Sequence, residues 1–197
     1  MHKPLPPRDW AWDGGRPSLD LVNTFRNRKT GGRELLRTPG DLDAWLAAAG
    51  LVEADADSDQ LASAREARTD STQLALAHEL REAIHRCASG TPSPGDVELV
   101  NGWAARRKAT VLQLAPDLSV VRPAPERPVE AALAEIAHDA IDLIGGEEWA
   151  RLRVCASPEC GLCFVDRSNA GKRQWCSMKR CGNREKVRLH RARRTPE

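Results

Sequence analysis

Two short cysteine loops of matching form constrain this chain more than any other feature. They are Cys155-Ala-Ser-Pro-Glu-Cys160-Gly161 and Cys176-Ser-Met-Lys-Arg-Cys181-Gly182. Each presents two thiols across a tight loop, and two such pairs complete a closed tetrahedral shell around one ion. Zinc, with no redox chemistry and no ligand-field preference, suits four sulfurs best; an iron–sulfur cluster also accepts them and stays open as an alternative. A closed all-cysteine shell leaves no position for a water to be activated, so one structural ion is expected rather than a catalytic one. The glycine after each second cysteine permits a tight turn whose N–H groups face sulfur. Disulfides would need an oxidising compartment, and Met1-His2-Lys3-Pro4 opens no apolar signal segment, so reduced thiols and a cytoplasmic location are expected.

Cys163 offers a rival Cys160-x-x-Cys163 pair, against which the symmetry of the two loops favours Cys155. Residues Cys163–Asp166 read as a strand, Ser168–Gly171 as a turn and Lys172–Trp175 as a returning strand, giving the order knuckle, hairpin, knuckle, helix of a treble-clef-like finger. In the helix that follows, Arg180, Arg184, Arg188, Arg191 and Arg194 fall within an arc of about 120°. Met178, Cys181, Leu189 and Ala192 fall on the opposite, inward side. A helix starting at Asn183 keeps Arg184, Arg188 and Arg191 in that row. Residues 151–197 carry a net charge of +9 and residues 1–150 carry −7, hidden in an overall +2. A zinc tetrathiolate accounts for about two of those nine charges. Nucleic acid is the expected partner for the rest.

The run Phe164-Val-Asp-Arg-Ser-Asn-Ala-Gly-Lys-Arg-Gln-Trp-Cys-Ser-Met-Lys-Arg-Cys-Gly-Asn-Arg184-Glu-Lys resembles the CGNR zinc finger, named for the tetrapeptide seen here as Cys181-Gly182-Asn183-Arg184. The resemblance covers roughly the last forty residues. It implies ligands at Cys155, Cys160, Cys176 and Cys181, leaves Cys163 out, and implies a bacterial transcription regulator.

The N-terminal part reads as mainly helical. Residues 1–17 are rich in proline, glycine and tryptophan and are expected to be irregular. A short helix is expected over Ser18–Phe25, with Leu21, Val22 and Phe25 inward. Thr38-Pro39-Gly40-Asp41 and Ser93-Pro94-Gly95-Asp96 carry the same helix-start chemistry of hydroxyl cap, proline and returning acid. They open helices at Leu42–Ala49, stopped by Gly50, and at Val97–Lys108. Glu53–Asp59 is expected as a loop. A long helical region is expected over Gln60–Ala88, with Leu76, Leu80, Ile84 and Cys87 inward. A β-hairpin is expected from Thr110–Leu114 and Leu118–Arg122. A final helix over Pro128–Ile144 has Val129, Leu133, Ile136, Ala140 and Leu143 or Ile144 as its buried stripe. The six tryptophans are expected to anchor separate parts of the core. Gly-Arg-Pro-Ser-Leu-Asp-Leu-Val-Asn-Thr24 and Thr38-Pro-Gly-Asp-Leu-Asp-Ala-Trp-Leu-Ala-Ala-Ala-Gly-Leu51 are similar to the helical ABATE domain, which implies a sensor of a small molecule or a stress signal.

The fold class expected is therefore mainly α: a helical sensor or dimerisation domain over residues 1–150 with a small β-hairpin, then a four-cysteine finger with a basic helix over residues 151–197. Asp20, Asn23, Thr24 and Trp45 are the candidates for a small-ligand pocket, against the alternative that they satisfy backbone groups and fill the core. Candidate nucleic-acid contacts are Arg173, Lys179, Arg180, Asn183, Arg184, Lys186, Arg188 and Arg191. The expected function is DNA-binding transcription regulation, with a possible effector and a homodimer; the alternative is a module for RNA or an acidic protein, in which Phe164 and Trp175 stack on bases. His78, His85 and His138 lack a second ligand at metal spacing. No nucleophile–base order, phosphate-cradling loop or open metal set points to an enzyme. No apolar run approaches the length of a membrane span.

Overall fold

The computed structural model describes residues 10–52, 69–109, 112–121 and 123–194, with side chains to Arg191. Residues 1–9, the expected loop at 53–59, the expected helical residues 60–68, Thr110, Val111 and Arg122 of the hairpin, and the side chains of Ala192 and Arg194 lie outside that set.

The described elements are α1 (Pro17–Val22), β1 (Phe25–Arg26), a 3-10 turn (Arg28–Thr30), β2 (Arg33–Glu34), α2 (Pro39–Ala48), α3 (Ser71–Ala88) and α4 (Pro94–Ala104). They continue with β3 (Gln113–Leu114), β4 (Val120–Val121), α5 (Pro128–Gly145), a 3-10 turn (Glu147–Arg151), β5 (Leu152–Val154), β6 (Cys163–Val165), a wide π-helical turn (Met178–Gly182) and α6 (Asn183–Arg194). The strands form three antiparallel pairs, β1 with β2, β3 with β4 and β5 with β6. The expected mainly helical class with small hairpins and a terminal cysteine cluster is the one observed.

Local chemistry sets the helix starts. Thr38 and Asp41, and Ser93 and Asp96, form reciprocal capping boxes under a proline in the first turn. Asp70 and Gln73 form a third, inside what reads as one continuous helical segment, and this cap fixes the start of α3 at Ser71. Such a cap contributes about 1 kcal/mol.

The core forms where α3, α4 and α5 pack together. Leu74, Ala77, Leu80 and Ile84 of α3 meet Val129, Leu133, Ile136, Ala140 and Leu143 of α5, with Val100 and Trp103 of α4 filling between. Leu76 is only partly buried at its margin. The tryptophans are less dispersed than expected: Trp12 stacks on buried Trp45 at 5.7 Å and meets Trp10 edge-on at 6.1 Å. Helix α1 stops at Val22, so Phe25 does not complete its apolar face. Phe25 enters β1 instead, half-buried beneath the guanidinium groups of Arg28 and Arg81. Arg81 is buried and makes a bidentate pair with Glu34, both contacts 2.7 Å, which fastens the β1–β2 hairpin to α3.

Asp20 accepts a hydrogen bond from the Gly14 N–H at 2.9 Å. Burial, with smaller contributions from Asp13 and Asp139, pushes its carboxyl up to about 7. The folded protein therefore favours the protonated acid. That stabilisation is full below the unfolded value near pH 4 and is lost as pH rises through 7. Asp20→Asn keeps an acceptor for Gly14 and removes the charge. It should leave urea stability unchanged near pH 4 and raise it by about 1–3 kcal/mol at pH 8; an equal shift at both pH values would contradict this.

Candidate metal centre

The four expected cysteines come together. The sulfurs of Cys155, Cys160, Cys176 and Cys181, all buried, lie within 4.8 Å of one another, with Cys160–Cys176 at 3.9 Å and Cys176–Cys181 at 3.6 Å. A tetrathiolate with metal–sulfur bonds of about 2.3 Å has sulfur–sulfur edges of about 3.8 Å, so the cage fits one zinc ion. Among the four thiols, hydrogen bonds from Cys160 and Cys176 hold Cys155 far below the usual thiol range. Contacts with Cys155 and Cys160 push Cys176 far above it. Ligation requires thiolates, so metal binding here releases protons.

Cys163 takes no part. Its side chain belongs to the helical core, and burial pushes its thiol up to about 11. The first knuckle sits between β5 and β6, in the register Leu152↔Val165, Arg153↔Phe164 and Val154↔Cys163. The hairpin partner of Cys163–Val165 is thus the strand before the knuckle, and Lys172–Trp175 is not a strand. Two observations explain the difference. The Asp166 carboxylate accepts from the Ser168 N–H, the Ser168 hydroxyl and the Arg173 N–H, closing the loop through a side chain. The outer edge of β6 is also already occupied: Asn23 donates to the Cys163 carbonyl at 2.8 Å and accepts its N–H at 2.9 Å, and the Gly14 carbonyl accepts the Val165 N–H.

The two glycines act differently. Gly161 has φ +72°, the left-handed region a tight turn needs. Gly182 lies in the π-helical turn, where a Cβ would stand 2.5 Å from the Met178 sulfur. Ser157 of the first knuckle donates to Glu185 of α6 at 3.0 Å, tying the helix to the cage.

A family model described as "CGNR zinc finger" matches residues 151–194, which hold all four cysteines of the cage. A second, ABATE, described as "Putative stress-induced transcription regulator", matches residues 15–147, more than half the chain. The chain belongs to the ABATE family. No curated protein matches it.

The chain ahead of the finger grips it at several points. Lys29 donates to the carbonyls of Cys155 and Ser157, at 2.6 and 3.1 Å. Asp13 pairs with Arg180 at 3.0 Å, and Arg180 also donates to the Trp10 carbonyl at 2.7 Å. Partial burial depresses the Arg26 guanidinium, Arg180 adds to that, and Cys160 and Cys176 act in the opposite sense, so a half-buried cation lies within electrostatic reach of two cage sulfurs. Arg26, Lys29, Asp13 and Ser157 carry no motif in the sequence.

The candidate pocket residues of the ABATE region all have internal partners. Asp20 holds Gly14 and Asn23 holds Cys163. Thr24 donates to the Leu21 carbonyl at 2.7 Å and accepts from Arg81, and Trp45 is core. An open groove of about 420 Å³ runs beside Arg16, Leu51, His138, Asp139 and Asp142, and none of those four residues lines it. His78 lies 2.9 Å from the Leu36 carbonyl. Burial, followed by Arg28, lowers His85 to about 4.

The candidate nucleic-acid residues divide into two sets. Arg173 lies over the Phe164 ring at 4.4 Å and donates to the carbonyls of Trp175 and Cys176, while Arg180 is held by the N-terminal strap. The π-helical turn re-phases the chain before α6, which is why Arg180 leaves the row. Lys179, Asn183, Arg184, Lys186, Arg188 and Arg191 are exposed. Met178, in the π-helical turn, and Leu189, both expected inward, are exposed as well; Leu189 is so because α6 leaves the finger after Glu185 anchors its first turn.

Proposed function

We propose that the chain is a DNA-binding transcription regulator in which the zinc cage presents α6 to duplex DNA. Residues 1–150 sense a signal, with a small-molecule effector, and residues 151–197 contact DNA. The observation that carries this is the exposure of Arg184, Lys186, Arg188 and Arg191 on one short helix, in a region of net charge +9, with its base fixed by the cage. Both family descriptions support a regulatory, zinc-binding role, and neither describes an enzyme. Phosphates meet the arginines and lysines of α6. Asn183 and one arginine reach base edges, where adenine and guanine accept bidentate contacts. Arg173 and Arg180 act by positioning the helix. The alternative, a platform for unpaired bases, is disfavoured because Phe164 is fully buried beneath Arg173.

Fluorescence anisotropy of the zinc-loaded chain with a duplex, across salt concentrations, tests this. Arg184→Ala with Arg188→Ala should make the log K against log salt slope shallower by about two. Unchanged affinity and slope would remove α6 as the contact surface. Stronger competition by single-stranded RNA than by duplex would favour the alternative.

A further inference from the structure

A zinc ion held by four thiolates carries about two net negative charges. All four cysteines here are buried, where an uncompensated anion is costly. The surroundings of the sulfurs answer that cost. Cys155 Sγ accepts the Cys176 N–H at 3.4 Å. Cys181 Sγ accepts from Arg184 Nη2 at 3.7 Å, and the same nitrogen donates to Ser157 Oγ of the first knuckle at 3.4 Å. Arg184 therefore spans both knuckles, with its Nη1 facing Glu159 at 3.6 Å. The other two sulfurs, of Cys160 and Cys176, lie within electrostatic reach of Arg26. Arg26 is half-buried on β1, with like charges around it from Arg180 and from Arg33, its partner across the ladder. A half-buried cation beside other cations is costly unless anions accompany it, and the cage thiolates are such anions.

We propose that Arg184 and Arg26 are positioning residues of the metal site, a pair of guanidinium groups that neutralises the zinc tetrathiolate and tightens its hold on the ion. They act through the sulfurs and are not ligands. Groups that bond to metal ligands from outside commonly set affinity almost as strongly as the ligands do. One arginine comes from α6 and the other from β1, so the ABATE region and the finger share a single metal site. Arg184 is half-exposed, so a guanidinium that serves sulfur on one side still presents the other to a phosphate. The inference rests on the cage and stands apart from the DNA reading.

Competition for zinc between the full chain and a chromophoric chelator, without DNA and at fixed neutral pH, tests it. Arg184→Met and Arg26→Gln should each weaken zinc binding about 10–100-fold. Arg184→Lys keeps the charge and should recover most of that loss. Lys172→Met removes a charge from an exposed position of the same finger and should bind zinc as the wild type does. The cobalt-loaded protein gives a second reading. Loss of a nearby cation raises the energy of the sulfur lone pairs, so the thiolate-to-cobalt absorption should move to longer wavelength in Arg184→Met and Arg26→Gln. A loosened fold alone would not produce that shift. If Arg26→Gln does not fold, the Arg184 variants decide, because that side chain is half-exposed. Unchanged zinc affinity in Arg184→Met or in folded Arg26→Gln would overturn the proposal. So would an equal loss in Lys172→Met, or a cobalt absorption that does not move. Absence of duplex binding with these zinc affinities as expected would count against the regulator reading and leave this one standing.

Discussion

Removing the metal from the intact chain should destabilise the helical region together with the finger. Structural zinc supplies about 10–16 kcal/mol of folding energy in isolated fingers, comparable to the whole stability of an ordinary domain. Here the finger also completes the helical region. Cys163 and Val165 belong to the main core, Asn23 and Gly14 take their hydrogen bonds from β6, and Lys29 reaches the knuckle carbonyls. Chelation or Cys176→Ser should therefore lower the Tm of the helical signal by about 10–20 °C, corresponding to roughly 5 kcal/mol in a chain of this size. Calorimetry of the zinc-loaded protein should show one transition. Cys155→Ser should abolish stoichiometric zinc and Cys163→Ser should retain it, separating the two pairings the sequence permits. An unchanged helical Tm after chelation would show two independent units.

Asn23→Ala should be strongly destabilising although it lies away from the ligands. Asn23 is buried, and its amide serves as a one-residue strand edge, matching both the N–H and the carbonyl of Cys163. Truncation leaves a buried donor and a buried acceptor unpaired, each costing about 1–3 kcal/mol, for a loss of about 2–6 kcal/mol in urea denaturation. Asn23→Asp sets a carboxylate against the Cys163 carbonyl and should be worse at neutral pH. It should recover partly in acid, where the protonated oxygen can donate. A loss below about 1 kcal/mol for Asn23→Ala would mean that water replaces the amide and that the seam is wet.

The ligand set was legible because metal chemistry is written in residue type and local spacing. The starts of α2 and α4 were legible for the same reason, since Thr38–Asp41 and Ser93–Asp96 act across three residues. The seam was not. Asn23 meets Cys163 across 140 positions, and Arg180 meets Trp10 across 170; such polar contacts leave no periodic trace. The returning strand Lys172–Trp175 fails on chemistry that alternation does not encode, because Asp166 already holds the Arg173 N–H that a ladder would use. The row of arginines was drawn on a straight helix, and the π-helical turn at Met178–Gly182 removes Arg180 from it while leaving Arg184, Arg188 and Arg191 in place.

The most direct measurement is a duplex-DNA titration of the zinc-loaded chain from about 50 to 200 mM salt, repeated after chelation. With Arg184, Lys186, Arg188 and Arg191 on phosphates, log K should fall with log salt at a slope of about −3 to −4, and chelation should abolish binding. No binding even at about 50 mM salt, or equal binding with and without zinc, would contradict a metal-held helix as the DNA-contacting element.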